Sequence, residues 1–171
     1  MQNERIGYTS VITPVGVVLV AQTAKGVCSV MVGDTGAPLL AELVAGFPGA
    51  RIEQDDIGLQ DAAVAAINIA RGYQNLDAVP LDLRGTAFQV GVWEALLMIP
   101  AGQTRTYSEI AAQIGRSSAY RAVANACGAN PVALLVPCHR AVRTDGALGG
   151  YKWGIGVKQA LLAAEATARA A

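Results

Sequence analysis

Ile6–Ile12, Val15–Gln22 and Val27–Gly33 are short runs rich in Val, Ile, Thr and Tyr, separated by Thr13-Pro14 and Ala24-Lys25-Gly26. The pattern predicts three strands in a tight antiparallel meander. Beyond the turn at Asp34-Thr35-Gly36 the apolar period lengthens. Leu39, Leu40, Leu43 and Val44 predict a helix over Pro38–Gly46, stopped by Phe47-Pro48-Gly49. A second helix is expected over Leu59–Arg71, with Ala63, Val64, Ile67 and Ile69 toward the core. Asp55, Asp56 and Asp61 gather at its start, where the helix dipole favours negative charge.

Asn75–Arg84 reads as a linker, and the pattern changes after it. This divides the chain into an N-terminal part, residues 1–80, and a C-terminal part, residues 81–171. Thr86 is placed to cap a helix over Ala87–Met98, with Phe88, Val92, Leu96 and Leu97 at core spacing and Pro100-Ala101-Gly102 ending it. Tyr107, Ile110, Ala111 and Ile114 set a helix over Thr106–Ile114, closed by Gly115, and another runs from about Ser118 to Cys127. Two short helices joined by a Gly-containing turn match a helix-turn-helix. Val132–Val136 is an apolar run, expected as a strand, that leads into Pro137-Cys138-His139-Arg140. Thr144-Asp145-Gly146 is a turn, and Ile155–Arg169 is a final Ala-rich helix. There is no internal repeat. The fold class is α+β.

Hydrophobic residues make up 53% of the 171 positions and charged residues 15%, which excludes intrinsic disorder. No apolar run approaches the roughly 20 residues of a membrane span. Met1-Gln2-Asn3-Glu4-Arg5 has no basic region followed by an apolar stretch, so no signal peptide is expected. A cytoplasmic monomer without a membrane or an obligatory protein partner is the expectation. The zero net charge hides an asymmetry. Residues 1–83 carry four basic against nine acidic side chains, and residues 84–171 carry nine basic against four acidic. A basic half points weakly to a polyanion partner.

Three cysteines and one histidine give no disulfide framework and no four-ligand zinc site, so neither metal nor cofactor is expected. Cys138 draws attention because the only His follows it and Arg140 comes next. A cysteine reacts as thiolate, which a base or a positive charge favours. On an extended backbone neighbouring side chains diverge, so His139 would need a local bend or a water to reach the sulfur. Glu165 on the last helix is the candidate to orient His139. An arbitrary Cys-His pair is more often a buried thiol beside a surface imidazole. Cys28 reads as core, and Cys127 as packed or pocket-lining. Arg105, Arg116 and Arg121 bracket the helix-turn-helix and suit phosphate contacts.

Pro137-Cys138-His139-Arg140 resembles the active-site motif of the O6-alkylguanine-DNA alkyltransferases. The resemblance runs from about Leu81 to Glu165 and is closest to the alkyltransferase domain of bacterial adaptive-response proteins. Arg84-Gly85-Thr86-Ala87-Phe88, Gly150-Tyr151-Lys152-Trp153-Gly154 and the spacing of Tyr107, Arg121, Asn130, Cys138-His139 and Glu165 carry it. Residues 1–80 match weakly. The family implies a ribonuclease-H-like three-stranded antiparallel sheet with a helix, then a mostly helical, winged helix-turn-helix-like domain. It implies DNA repair, with double-stranded DNA containing O6-alkylguanine (and O4-methylthymine) as partner and substrate. The alkyl group would pass irreversibly, once, to Cys138.

The roles implied by that resemblance are as follows. Glu165 orients His139, which removes the thiol proton through a water. The second helix enters the minor groove, where Ala119, Ala122 and Ala126 permit close approach. Arg121 replaces the everted base in the stack, and Tyr107 crowds the 3′ phosphate and hydrogen-bonds the base at N3. Lys158 assists Tyr107. Asn130 buttresses the turn before the cysteine, and it and Arg140 are counted with the DNA-contacting residues. Tyr107, Cys127, Ala141, Tyr151, Lys152 and Trp153 line the pocket, with backbone at Ala141 and Lys152 facing the base edge. Ala141 departs from the family's usual Val. The zinc modules of some relatives have no ligands here. Bulky Lys152 and Trp153 suggest a preference for methyl over large adducts. Two other readings remain: a non-catalytic helix-turn-helix regulator of undamaged DNA, and a thiol hydrolase that would need an oxyanion hole.

Overall fold

The computed structural model describes residues 3–74 and 78–170. Part of the opening stretch Met1–Arg5 and part of the expected linker Asn75–Arg84 therefore lie outside the described residues. Strands β1 (Arg5–Thr13), β2 (Gly16–Thr23) and β3 (Gly26–Gly33) form the expected meander. Helix α1 (Gly36–Gly46) follows. A fourth strand, β4 (Arg51–Gln54), pairs parallel to β1, so the sheet is β3-β2-β1-β4 and mixed rather than three-stranded and antiparallel. Four residues with alternating charge carry no strand signal, which is why β4 is missing from the sequence pattern.

β2 and β3 read as nearly unbroken apolar runs because both faces of the sheet are covered. Val18, Val20, Val30 and Val32 face α2 (Gln60–Ala70) and the C-terminal helices, while Leu19, Ala21 and Met31 pack on Leu39 and Leu43 of α1. Ala21 pairs with Ser29 but Gln22 with Val27, a bulge that turns Cys28 onto the α1 side. The buried stripe of α2 is Ala62, Ala65, Ala66, Ile69 and Ala70, spaced i, i+3, i+4, i+7, i+8. Val64, expected inside, falls off that stripe and is exposed.

In the C-terminal part, α3 (Ala87–Leu97) and α4 (Tyr107–Gln113) each begin with a reciprocal capping box, Thr86 with Gln89 and Thr106 with Glu109. Both link to α5 (Tyr120–Gly128), and α6 (Ile155–Ala170) closes the chain. Val92, Trp93 and Leu96 of α3 are buried, and the Trp93 indole N–H donates to the Ala126 carbonyl at 2.8 Å. Leu97, expected in the core, lies outside that stripe and is exposed. One hydrophobic cluster runs from the sheet through α2, α3 and α5 to Leu161 of α6.

The run Val132–Val136 is not a strand. Only Val132 bridges to β3, through Val30 N to Pro131 O (3.0 Å) and Ala133 N to Val30 O (3.2 Å). Buried Leu134 then adopts φ 68, a left-handed conformation costly for a branched side chain and held by the packing around it. The chain turns there and forms a 3-10 turn at Cys138–Arg140, followed by β6 (Ala141–Val142), which pairs parallel to β5 (Arg105–Thr106). Among the described residues no helix is long and apolar enough to cross a membrane.

Gly72, just past α2, has φ 89, and a Cβ there would overlap the Ala164 carbonyl and the Glu165 N of α6. Gly72→Ala should therefore cost at least about 2 kcal/mol in urea unfolding. A loss under roughly 0.5 kcal/mol would show that α6 shifts freely against α2.

Candidate active site

Lys158 and Glu165 stand two turns apart on α6, on its buried face. The 3-10 turn brings His139 and Arg140 against that face. His139 Nε2 lies 2.7 Å from Glu165 Oε1. Arg140 donates to the same carboxylate from Nε (3.0 and 3.1 Å) and Nη2 (2.8 Å), and from Nη1 to the Ile99 carbonyl at 2.6 Å. Gly102 N donates to Glu165 Oε2 at 3.2 Å. Burial alone would raise the Glu165 carboxyl, but the hydrogen bonds from His139 and Arg140 outweigh it and hold the group at about 2. Burial lowers His139, against the pull of Glu165 and with the help of the Arg140 charge. The imidazole is thus neutral, with its proton on Nε2 facing the carboxylate. Nδ1 carries the lone pair and has no partner among the described residues.

Cys138 is buried, and burial pushes its thiol up; an Asn130 hydrogen bond and the Lys158 charge act the other way. Asn130 braces this segment, donating from Nδ2 to Val136 O at 2.9 Å and accepting from Val132 N at 2.9 Å. Around the sulfur, Cys127, Asn130, Tyr151, Lys152 and Trp153 leave only about 10 Å³ of free space. Cys127 is raised to about 12 by burial and by Cys138. Lys158 Nζ donates to the carbonyls of Ala141 (2.6 Å) and Leu148 (2.5 Å), with Gly150 O at 3.5 Å. Lys152 Nζ pairs with Glu42 of α1 at 2.8 Å and sits 4.5 Å from the centre of the Trp153 ring, which packs on both hydrophobic clusters.

Next to this small cavity is an open cleft of about 880 Å³, lined by Tyr107, Arg121, Asn125, Arg143 and Gly149, among others. Gly128, Gly150 and Tyr151 border both spaces. The exposed face of α5 carries Arg121, Ala122, Asn125 and Gly128, with Arg116 exposed before it. Tyr107 is raised to about 12, by burial first and then by Cys127 and Cys138. Its hydroxyl abuts Gly149, at φ 74, where an added Cβ would lie 2.7 Å from the oxygen.

Of the expected catalytic set, His139 and Glu165 are in hydrogen-bond contact, and Cys127, Tyr151, Lys152 and Trp153 line the cavity of Cys138. Other expectations are corrected. Ala126 points into the core beneath Trp93, so it is not on the groove-facing side of α5; Ala119 is half-buried and Ala122 exposed. Arg140 is not a surface contact: its guanidinium is buried and fully engaged by Glu165 and Ile99 O. Asn130 is likewise buried and holds backbone, not the surface. Ala141 is fully buried, outside the cavity lining, with its carbonyl on Lys158. Lys158 lies 6.0 Å from the centre of the Tyr107 ring but gives its hydrogen bonds to the loop. Arg143 and Asn125 were not anticipated. The i, i+4 spacing of Arg121 and Asn125 was the available signal for the polar face of α5.

Residues 87–167 match the family described as "6-O-methylguanine DNA methyltransferase, DNA binding domain". The Salmonella typhimurium regulatory protein ada is 50% identical over 86% of this chain, which spans 42% of that protein's length. The inducible methylated-DNA–protein-cysteine methyltransferase of Bacillus subtilis is 42% identical, covering 84% of this chain and 80% of its own. The crystal structure of Mycobacterium tuberculosis OGT in complex with DNA superposes with a TM-score of 0.78 at 35% identity, covering 95% of this chain and 93% of the other.

Acid should destabilise the protein in two stages. His139 is lowered below its ordinary 6.5, so the unfolded chain binds that proton more readily and stability falls as pH drops below 6.5. Glu165 at about 2 against an ordinary 4.5 adds a second loss between 4.5 and 2. Urea unfolding across this range checks it; a flat profile from pH 7 to 4 would contradict the protonation states given above.

Proposed function

The chain belongs to the O6-methylguanine-DNA methyltransferase family, and from that premise we propose that it repairs DNA by moving the methyl group of O6-methylguanine, once and irreversibly, onto its own Cys138. The observation that carries the reading is a neutral imidazole, fixed by Glu165, whose free Nδ1 belongs to the residue following the buried thiol. Nδ1 takes the Cys138 proton through a water. The thiolate attacks the methyl carbon; the S–C bond forms, the C–O6 bond breaks, and the electron pair leaves on guanine, which finally receives the proton Cys138 lost. A thioether has no easy leaving group, so each molecule acts once.

The cavity at Cys138 is far smaller than a purine, and O6 cannot be reached inside a duplex, so the base is everted and pushes the Gly149–Trp153 wall aside as it enters from the cleft. α5 lies in the minor groove, with Ala119 and Ala122 allowing close approach and Arg121 filling the vacated stack. Arg116 and Arg143 add phosphate contacts. Tyr107, kept protonated, donates to N3. Lys158 serves by holding the Leu148–Gly150 backbone in place against β6. O4-methylthymine is a second substrate, and the protein acts in the cytoplasm. Residues 1–80 back the cavity wall through Glu42 and Lys152. A regulator reading leaves the buried Cys138, His139 and Glu165 group without use.

Incubation with duplex carrying methyl-labelled O6-methylguanine should give one labelled methyl per protein, on the Cys138 peptide by mass spectrometry, and none in Cys138→Ala. Turnover beyond one equivalent, or label elsewhere, would overturn the reading. Because Lys152 and Trp153 crowd the sulfur, free O6-benzylguanine should inactivate the protein much more slowly than the methylated duplex. Equal rates would count against that size preference.

A further inference from the structure

Two buried side-chain polar atoms have no partner among the described residues: His139 Nδ1 and the Tyr151 hydroxyl. The first is the base of the proposed reaction. The second has no assigned work, yet Tyr151 borders both the cleft and the cavity of Cys138. A buried hydroxyl without a partner costs about 1–3 kcal/mol relative to one that is bonded. Native structures leave few such groups unpaired, and a catalytic role is one of the recognised reasons for those that remain. Phe in the same place would fill the same volume without the loss.

We propose that the Tyr151 hydroxyl is a catalytic hydrogen-bond donor, completed by O6 of the departing guanine. This rests on the methyl-transfer reading above. As the thiolate sulfur bonds to the methyl carbon and the C–O6 bond breaks, negative charge develops on O6. The Tyr151 O–H points its dipole at that charge and keeps its proton; the proton that neutralises guanine is the one Cys138 surrendered to His139. The donor stays protonated throughout, because burial and the neighbouring Cys138 raise its pKa well above the ordinary 10. The assignment differs from that of Tyr107, whose hydroxyl lies against Gly149 in the cleft lining and is matched to the ring edge at N3. Two phenols would then share the leaving group from two sides, one at the ring and one at the breaking bond.

Tyr151→Phe tests this with three readouts. Single-turnover transfer from O6-methylguanine duplex at saturating DNA should fall roughly ten- to a hundred-fold, the effect of one donor to developing charge. Alkylation of Cys138 by methyl iodide, which has no purine to expel, should be unchanged. The Tm should rise or hold, since an unsatisfied hydroxyl has been removed. An unchanged duplex rate would overturn the proposal. So would a parallel loss with methyl iodide, which would put the effect on the thiol, or a lowered Tm, which would reveal a structural partner for the hydroxyl. If instead the wild-type protein fails to label Cys138 from duplex at all, the methyl-transfer reading itself falls, and the two failures are told apart.

Discussion

One buried carboxylate organises the centre of this protein. Glu165 has almost no contact with water, and an isolated charge there would be prohibitively costly. It is made tolerable by donors from three directions: His139, Arg140 and the Gly102 backbone. Burial is the main reason the imidazole beside that carboxylate stays neutral, and the Arg140 charge acts in the same direction by opposing a second proton on the ring. The residue beside the motif histidine thus works through electrostatics inside the core, and its place in the motif has nothing to do with reaching a phosphate.

The same helix fixes the opposite wall. Lys158, two turns before Glu165, ties the Ala141 and Leu148 carbonyls together. A buried ammonium is expensive unless its protons are used, so α6 cannot slide without breaking both the carboxylate cluster and the loop that carries Tyr151. Gly72 lets the end of α2 press directly on α6 at Ala164 and Glu165. The N-terminal sheet and α1 then back the assembly through Trp153 and the Glu42–Lys152 pair. An exposed pair of that kind contributes little energy by itself, on the order of 0–1 kcal/mol. Its effect is to hold the flat ring of Trp153 between two cores.

Where the sequence was informative, the reason is physical. β1, β2 and β3 announce themselves through β-branched runs, α3 through Thr86 as a cap with apolar residues at core spacing, and α4 through the register of Tyr107, Ile110, Ala111 and Ile114. Cys138, His139 and Glu165 were legible from residue type and from resemblance. What escaped depended on tertiary partners. β4 is a strand only because β1 offers an edge. Val132–Val136 has a strand's composition, yet Leu134 is forced into left-handed backbone by the packing around it. The alanines of α5 gave no contrast between Ala122, outside, and Ala126, inside; only the packing of α5 on the core decides it. A lone arginine in a motif looks like a DNA contact until its carboxylate, 25 residues away, is known.

The resting state of the sulfur follows from these constraints. Burial raises the Cys138 thiol and lowers the His139 imidazole, so at neutral pH the two rest as thiol and neutral imidazole rather than as an ion pair. A permanently ionised cysteine would react with any oxidant or electrophile that reached it. On the methyl-transfer reading, a molecule that acts once would be wasted that way. A thiolate of high pKa is also the more intrinsically nucleophilic one. On the proposed reading the proton stays in place until a nucleobase occupies the cavity, and the thiolate then formed is a stronger nucleophile than a preformed one of low pKa would be. It works only if the proton acceptor is close, oriented and uncharged, which returns the whole arrangement to the neutralised carboxylate beneath it.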